Sequence, residues 1–399
     1  MKRQFSLVFF AWIGVCFLGA LPFYFSGFLP NFTDAVFESV SGFTTTGATV
    51  LADIEALPHW LLFWRSLTQW LGGMGVLVTF ILIPSLSGEE LYPLKKRAAA
   101  VLSLIYAALT ALEFILLAIF GMGWFDALTH SFSSMSTGGF SIRNNGVAYY
   151  NSPAVEWICS GFMFIAGVNL YLIWLVFRGK ANLVMRNSEA RTYTAVVITA
   201  AAVIAVAIFP ESPSFSTALR QAFFQVTSII STSGFYSADY GLWPYLAQGI
   251  LFFLLFSGGC RGSSAGGVKV IRYVILSKQA WNEMKRIIYP RGVFNIRFDG
   301  KTGNKKAVHG VIGFVFLYFF IVFLAALLVS SSGADVFTSF NTALACQGNI
   351  GPVMGNSGAF MPFPDFPAYI KWGLCFVMLM GRLELWIVFA LFTKDFWRR

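Results

Sequence analysis

Thr44-Thr45-Thr46-Gly47-Ala48-Thr49, Ser136-Thr137-Gly138-Gly139-Phe140-Ser141, Thr232-Ser233-Gly234-Phe235-Tyr236-Ser237 and Gly348-Asn349-Ile350-Gly351-Pro352 are four glycine-centred segments whose placement decides the fold. Thirteen residues before Gly47, Gly139, Gly234 and Gly351 the chain reads Asp34-Ala35-Val36, Asp126-Ala127-Leu128, Gln221-Ala222-Phe223 and Thr338-Ser339-Phe340. The order each time is polar, small, apolar. A helix-to-glycine distance kept four times, across unequal intervals, implies four copies of one device around a common axis.

Hydrophobic residues make up 57% of the 399 and charged residues only 12%, a balance foreign to soluble domains. Apolar runs lie near 5–28, 60–83, 98–122, 155–177, 193–210, 243–257 with 268–276, 308–330 and 368–393. Most reach the roughly 20 residues that a hydrocarbon core demands. They make eight spans, two in each of four repeats at 1–90, 91–180, 181–290 and 291–399. The first run follows Lys2 and Arg3 as in a signal peptide. It outlasts the roughly 7–15 apolar residues of such a leader and has no small-residue cleavage site, so it reads as a retained helix.

Between the two spans of each repeat lie amphipathic stretches at 33–45, 125–137, 216–232 and 335–348. About twelve helical residues reach only half-way across a bilayer, so these stretches read as re-entrant half-helices. The glycine segments that follow are non-helical, and such backbone survives at membrane depth only inside protein or beside water. Interfacial loops would explain neither the constant spacing nor the recurring Thr/Ser-Gly chemistry. The sequence therefore predicts an all-α integral membrane protein, with eight transmembrane helices as four helix–pore-loop–helix repeats around a pseudo-fourfold ion pore.

Of the 28 Lys and Arg, 22 fall at the N-terminus, in the loops 84–97, 178–191 and 268–306, and at the C-terminus. Eight spans put all of these on one side, which the positive-inside rule makes cytoplasmic, with both termini. The opposite side collects Asp34, Glu38, Asp53, Glu55, Asp126, Glu156, Glu211, Asp239, Asp335 and Asp365. An acidic outer mouth concentrates cations. The net charge of +10 then belongs with the inner face and anionic lipid, and gives no reason to expect nucleic acid. Cys16, Cys159, Cys260, Cys346 and Cys375 fall within or beside apolar segments and lack CxxC spacing, so they read as core filler.

A cation leaving water needs oxygens in place of its hydration shell, which backbone carbonyls supply in narrow filters. Glycine permits the positive φ or close approach that turns successive carbonyls inward. Gly47, Gly139, Gly234 and Gly351 are assigned that role. Thr45, Thr46, Ala48, Thr137, Gly138, Thr232, Ser233, Asn349 and Ile350 complete the candidate ion-binding strands, their hydroxyls bracing the backbone or lending oxygens. A half-helix ending there also aims its negative dipole end at the ion. Small-residue helix packing alone needs no preceding half-helix.

The second span of the third repeat is interrupted by Gly258-Gly259-Cys260-Arg261-Gly262-Ser263-Ser264-Ala265-Gly266-Gly267. Each glycine costs a helix about 1 kcal/mol relative to alanine, so an unwound intramembrane loop is expected. A packing kink is the alternative. Arg382 lies near the middle of the last apolar run, where a charge must face the bundle interior with a function or a partner. A carboxylate from another helix would serve as that partner. Glu384, two residues on, points to a different helix face. Glu113, also at membrane depth, reads as structural.

These residues resemble the TrkH-type subunit of the Trk/Ktr/HKT superfamily of potassium transporters over nearly the whole chain. The most specific stretches are Ser66-Leu67-Thr68-Gln69-Trp70-Leu71-Gly72-Gly73-Met74-Gly75, Phe125-Asp126-Ala127 through Gly139-Phe140-Ser141, Gly234-Phe235 with Ala238-Asp239-Tyr240, Gly258-Gly259-Cys260 with Gly266-Gly267-Val268-Lys269-Val270-Ile271-Arg272, and Gly381-Arg382-Leu383-Glu384. The resemblance implies a filter selective for K+, one glycine per repeat, and potassium uptake across a bacterial inner membrane. It implies a homodimer regulated by a cytosolic ring of nucleotide-binding subunits, with no cofactor in this chain. It carries a gating role to residues 258–267 and places Arg382 close to that loop, where its charge impedes cations in a closed state.

The chain departs from the family pattern in three places. Many members carry two further helices ahead of the first repeat, which here starts almost at Met1. The fourth segment reads Gly351-Pro352-Val353 where a further glycine is common, and Arg261 charges a segment that is usually neutral. An enzyme is disfavoured, because the chain has only His59, His130 and His309 and no Gly-x-Ser-x-Gly, HExxH or Walker pattern. Alternating access by a secondary transporter also uses broken helices. Inverted repeats, however, would reverse sidedness between halves, whereas these four run in one sense. Coupling to H+ or Na+, and the degree of K+ preference, stay open at this level.

Overall fold

A computed structural model describes residues 2–82, 95–298, 301–302, 305–351 and 366–398. Pro352, Val353, Asp365 and the loop 84–97 as far as Leu94 lie outside the described residues, as do the side chains of Lys2 and Arg3. A long helix, a short helix and a second long or broken helix follow one another four times. The first set is α1 (Lys2–Phe25), α2 (Phe32–Phe43) and α3 (His59–Leu82). The second is α4 (Lys95–Ile119), α5 (Trp124–Met135) and the broken α6 (Pro153–Gly167) with α7 (Leu170–Phe177). The third is α8 (Ser188–Ile208), α9 (Phe215–Ile230) and the broken α10 (Tyr245–Leu254) with α11 (Val270–Ile288). The fourth is α12 (Lys305–Ser330), α13 (Val336–Gly348) and the broken α14 (Ala368–Leu383) with α15 (Leu385–Leu391). A minimal hairpin pairs Arg297–Phe298 with Lys301–Thr302.

Four helices are long and apolar enough to cross a membrane unaided: Gln4–Phe25, Ala99–Ile119, Ser188–Glu211 and Val308–Ser330. The pairs α6/α7 and α14/α15, bent by 103° and 114°, bring this to six. The polar-bearing α3 and the divided α10/α11 occupy the remaining second-span places. The runs 155–177 and 368–393 were expected as continuous spans, and both are broken. Hydropathy does not register the causes, a side-chain cap at one break and a left-handed, ion-paired residue at the other. Asn169 leaves the helix and its side chain accepts from the Tyr171 N–H at 2.9 Å, starting a new helix. Glu384 takes φ +67° and pairs with Arg272 at 2.5 Å. The third break runs from Leu255 to Lys269, wider than 258–267, because Gly258 N–H bonds the Val268 carbonyl at 2.8 Å and closes the loop upon itself.

The half-helices form where the 3.6-residue pattern predicts, and three of the four are capped by a side chain at their starts. Asn31, Ser214 and Asp335 accept from the N–H groups of Thr33, Thr217 and Thr338, the usual remedy for unpaired first-turn donors. Each packs on the long helix before it. Their later turns are buried on every side, as Ala35 through Phe43 are in α2, so they occupy the centre of the molecule. Threonines within them or at their C-terminal caps donate back to carbonyls one turn earlier, as Thr44 does to Val40 at 2.6 Å and Thr227 to Phe223 at 2.8 Å.

Glycines let α3 close on this centre. A Cβ at Gly72 would fall on the Phe43 carbonyl, with the Phe43 Cα at 3.0 Å. Gly72→Ala is therefore expected to destabilise the protein by about 1–3 kcal/mol through overpacking. Its thermal unfolding in detergent checks this.

Candidate functional site

Each half-helix ends in the same chain reversal. Thr45, Thr137, Thr232 and Asn349 take left-handed φ values of 51°, 57°, 60° and 53°. Two residues later Gly47, Gly139, Gly234 and Gly351 take 82°, 77°, 73° and 89°. The N–H groups of the left-handed residue and its successor return to the helix, as Thr45 does to Gly42 at 2.9 Å and Thr46 to Ser41 at 2.8 Å. This is a Schellman cap. Threonine is a poor residue for that conformation, so surrounding structure must hold it there. The glycine signal was legible in sequence, whereas the left-handed threonines were not.

The four strands stand against one another in a ring. A Cβ on Gly47 would fall on the Gly138 carbonyl, one on Gly139 on the Ser233 carbonyl, and one on Gly351 on the Thr46 carbonyl. The oxygen met each time belongs to the residue just before the next strand's own glycine. First meets second, second meets third, and fourth meets first. The ring is also tied across its seam, where Asn349 Nδ2 donates to Thr46 Oγ1 at 2.9 Å and to the Met378 carbonyl at 3.0 Å. Ala48 and Ile350 are buried beside it. Hydroxyls brace the strands from within: Thr44 and Thr46 share a bond of 2.7 Å, and Ser231 and Ser233 one of 2.8 Å. Gly138 is braced from outside, its carbonyl accepting from Gln69 Nε2 at 2.6 Å.

The loop 258–267 lies against the ends of these half-helices. Gly266 N–H donates to Thr232 Oγ1 at 2.7 Å, and Ser264 Oγ donates to the Met135 and Ala166 carbonyls at 3.1 and 3.2 Å. A Cβ on Gly266 would meet the Gly348 carbonyl. The loop is pinned on its far side by Cys260 N–H to Gly167 O at 2.8 Å, Leu170 N–H to Gly262 O at 3.3 Å, and Glu189, which accepts from the N–H groups of Arg261 and Ile271 at 2.7 and 3.2 Å. Ser263 closes a turn onto Cys260 O at 2.6 Å, while Gly259 and Ala265 are packed within the loop.

Arg382 Nη1 donates to the Ser264 carbonyl at 2.7 Å, and its Nε and Nη2 have no hydrogen-bond partner among the described residues. The expected alternative, a carboxylate on another helix, is not met among the described residues. The nearby Glu384 serves Arg272 instead, at 2.5 Å. A second cation, Lys269, donates to the Ala265 carbonyl. Sequence reasoning missed Lys269, although its place just after the glycine loop was the available signal. Arg382, Lys269, Gly266, Gly267 and Gln347 border a cavity of about 10 Å³, room for roughly one water and too little for a hydrated ion.

The acidic mouth needs correction. Glu38 is buried against Arg65 at 2.6 Å and Glu156 against Arg220 at 2.9 Å, so both act as internal partners. Asp34 and Asp126 are paired with Lys371 and Arg143 at 2.6 and 3.1 Å. Spacing along a chain does not reveal which cation folds back onto a carboxylate. Glu113 is fully buried, and neither carboxylate oxygen has a hydrogen-bond partner among the described residues. Glu113→Gln is expected to leave uptake within about twofold and stability equal or higher, since a buried amide is less costly than a carboxylate. Uptake rate and unfolding temperature measured together check this. The five cysteines are free and buried.

A family profile described as TrkH, cation transport protein, matches residues 1–208 and 192–397. The chain is 37% identical over 409 residues to the Trk system potassium uptake protein TrkH of Halomonas elongata, covering 97% of this chain and 84% of that protein. It is 36% identical over 419 residues to the Trk system potassium uptake protein TrkH of Salmonella typhimurium, covering 100% and 86%. The crystal structure of the potassium transporter TrkH from Vibrio parahaemolyticus matches with a TM-score of 0.93 at 33% identity, over 100% of this chain and 86% of that one.

Proposed function

Because the chain belongs to the TrkH family of cation transport proteins, we propose that it carries potassium into a bacterial cell through the ring of glycine strands. It is a transporter and not an enzyme. Each succession of helix, half-helix and helix supplies one quarter of the pore. Residues Thr45–Ala48, Thr137–Gly139, Thr232–Gly234 and Asn349–Gly351 form the filter for K+, the transported ion. The observation that carries this reading is the ring itself, in which Gly47, Gly139 and Gly351 each meet the oxygen preceding the neighbouring strand's glycine. Such contacts require four non-helical strands at one centre, the arrangement in which carbonyls replace a hydration shell.

The loop 258–267 and Arg382 form the gate, held shut in this conformation by their mutual hydrogen bond. The half-helix starts face outward, and both termini and the basic loops face the cytoplasm of an inner-membrane protein. Two copies assemble as a homodimer on a cytosolic ring of nucleotide-binding regulatory subunits, drawn to the basic face. Reversal potentials in proteoliposomes under opposed potassium, sodium and proton gradients test the function. A potential that follows potassium alone is expected. One that follows sodium or protons equally sinks the reading.

A further inference from the structure

The second helix of the first set reaches across to hold the filter strand of the second. Arg65 and Gln69 are four residues apart on α3 and so share a face. Gln69 Nε2 donates to the Gly138 carbonyl at 2.6 Å, and Gln69 Oε1 accepts from the Phe140 N–H at 3.1 Å. Arg65 Nη1 donates to the Ser141 carbonyl at 2.7 Å, with its guanidinium carbon 3.5 Å from the centre of the Phe140 ring. The other edge of Arg65 serves the first strand. Its Nε donates to Glu38 Oε1 at 2.6 Å, and Glu38 accepts from Thr49 Oγ1 at 3.0 Å and from the Val50 N–H at 3.1 Å. The side chains of Arg65 and Glu38 are only 2% and 0% exposed.

We propose that Glu38, Arg65 and Gln69 form a bridge that sets the spacing of the first two filter strands and thereby the discrimination between potassium and sodium. All three are positioning residues, acting on the ion only through the strands they hold. The proposal rests on the filter reading of segments 44–49 and 136–141. A buried ion pair is a weak source of stability, since apolar replacements are often neutral or better. It is a strong source of direction, because the guanidinium fork makes bonds at fixed angles that lysine cannot reproduce. The pairs Asp34–Lys371 and Asp126–Arg143 lie at or near half-helix starts. Through the Arg65–Glu38 pair, charge joins the first segment at Thr49 and Val50 to the second at Ser141.

The test measures potassium uptake into proteoliposomes with sodium as competitor, and the unfolding temperature, for the wild type, Arg65→Lys, Glu38→Gln and Gly139→Ser. The bridge variants are expected to lose about tenfold in preference for potassium over sodium, the size of one charge-assisted hydrogen bond. Their maximal rate at saturating potassium should stay within about twofold of the wild type, which separates discrimination from general damage. Unchanged ion preference in Gly139→Ser means that the filter reading itself fails. Altered preference there, with wild-type preference in both bridge variants, overturns the bridge and leaves the filter standing. Since breaking a buried pair can unfold a protein, the combination Glu38→Leu with Arg65→Met replaces it by apolar bulk. Lost preference in that folded variant supports the bridge, and retained preference overturns it. Failure of all the bridge variants to fold also overturns it, by assigning the residues to folding.

Discussion

Gly139→Ser is expected to raise the potassium concentration for half-maximal uptake by about tenfold or more and to admit sodium as an effective competitor. Two effects combine at this position. A residue with a Cβ at φ 77° pays roughly 1–2 kcal/mol for the left-handed conformation. Its Cβ also falls on the Ser233 carbonyl of the neighbouring strand, an overpacking of about 1–3 kcal/mol that only backbone movement relieves. The strands must move apart, and carbonyls that replaced a hydration shell no longer fit one ion better than another. Gly351→Ser should act similarly, since its Cβ falls on the Thr46 carbonyl across the seam. Gly161, with open space where a Cβ would stand, supplies the control: Gly161→Ser should leave uptake unchanged. Tracer uptake into proteoliposomes with graded sodium distinguishes these outcomes, and unaltered competition in Gly139→Ser refutes the filter assignment.

Arg382→Ala is expected to increase passive potassium flux by about tenfold or more at a given driving force. The guanidinium is buried and holds the Ser264 carbonyl with a single bond, leaving its Nε and Nη2 unsatisfied among the described residues. At an effective dielectric of about 20, a fixed positive charge some 8 Å from a permeating cation opposes it by roughly 2 kcal/mol. Alanine removes both the repulsion and one of the bonds that hold the loop in place. Lys269 remains, donating to the Ala265 carbonyl, so deleting residues 260–265 should raise the flux beyond the single substitution. Conductance across planar bilayers measures both. An unchanged, tight conductance in both variants removes the gate from residues 258–267 and Arg382.

How much of this was readable in one dimension differs by element. The half-helices and the four glycines were legible because helix periodicity and the glycine preference for positive φ are local. The starts at Phe32, Trp124, Phe215 and Val336 lie within a residue of the expected 33, 125, 216 and 335. The breaks at Asn169 and Glu384 were not legible, since each depends on a bond that apolar windows average away. Glu38 read as a mouth charge because nothing adjacent to it announces Arg65, which stands 27 positions later.

Composition, spacing and recurrence by themselves determined a membrane-embedded helical chain with four half-helices, each delivering a glycine to a non-helical turn. Those features follow from local propensity and from the cost of exposing backbone to lipid, which act within a few turns of chain. Only the tertiary structure decided that the turns close into a ring, that residues 258–267 press against Thr232 and the half-helix ends, and that Arg382 holds the loop while Glu384 answers Arg272. The reason is physical: which buried donor meets which acceptor is set by the simultaneous packing of distant segments, and that information exists only once they are brought together.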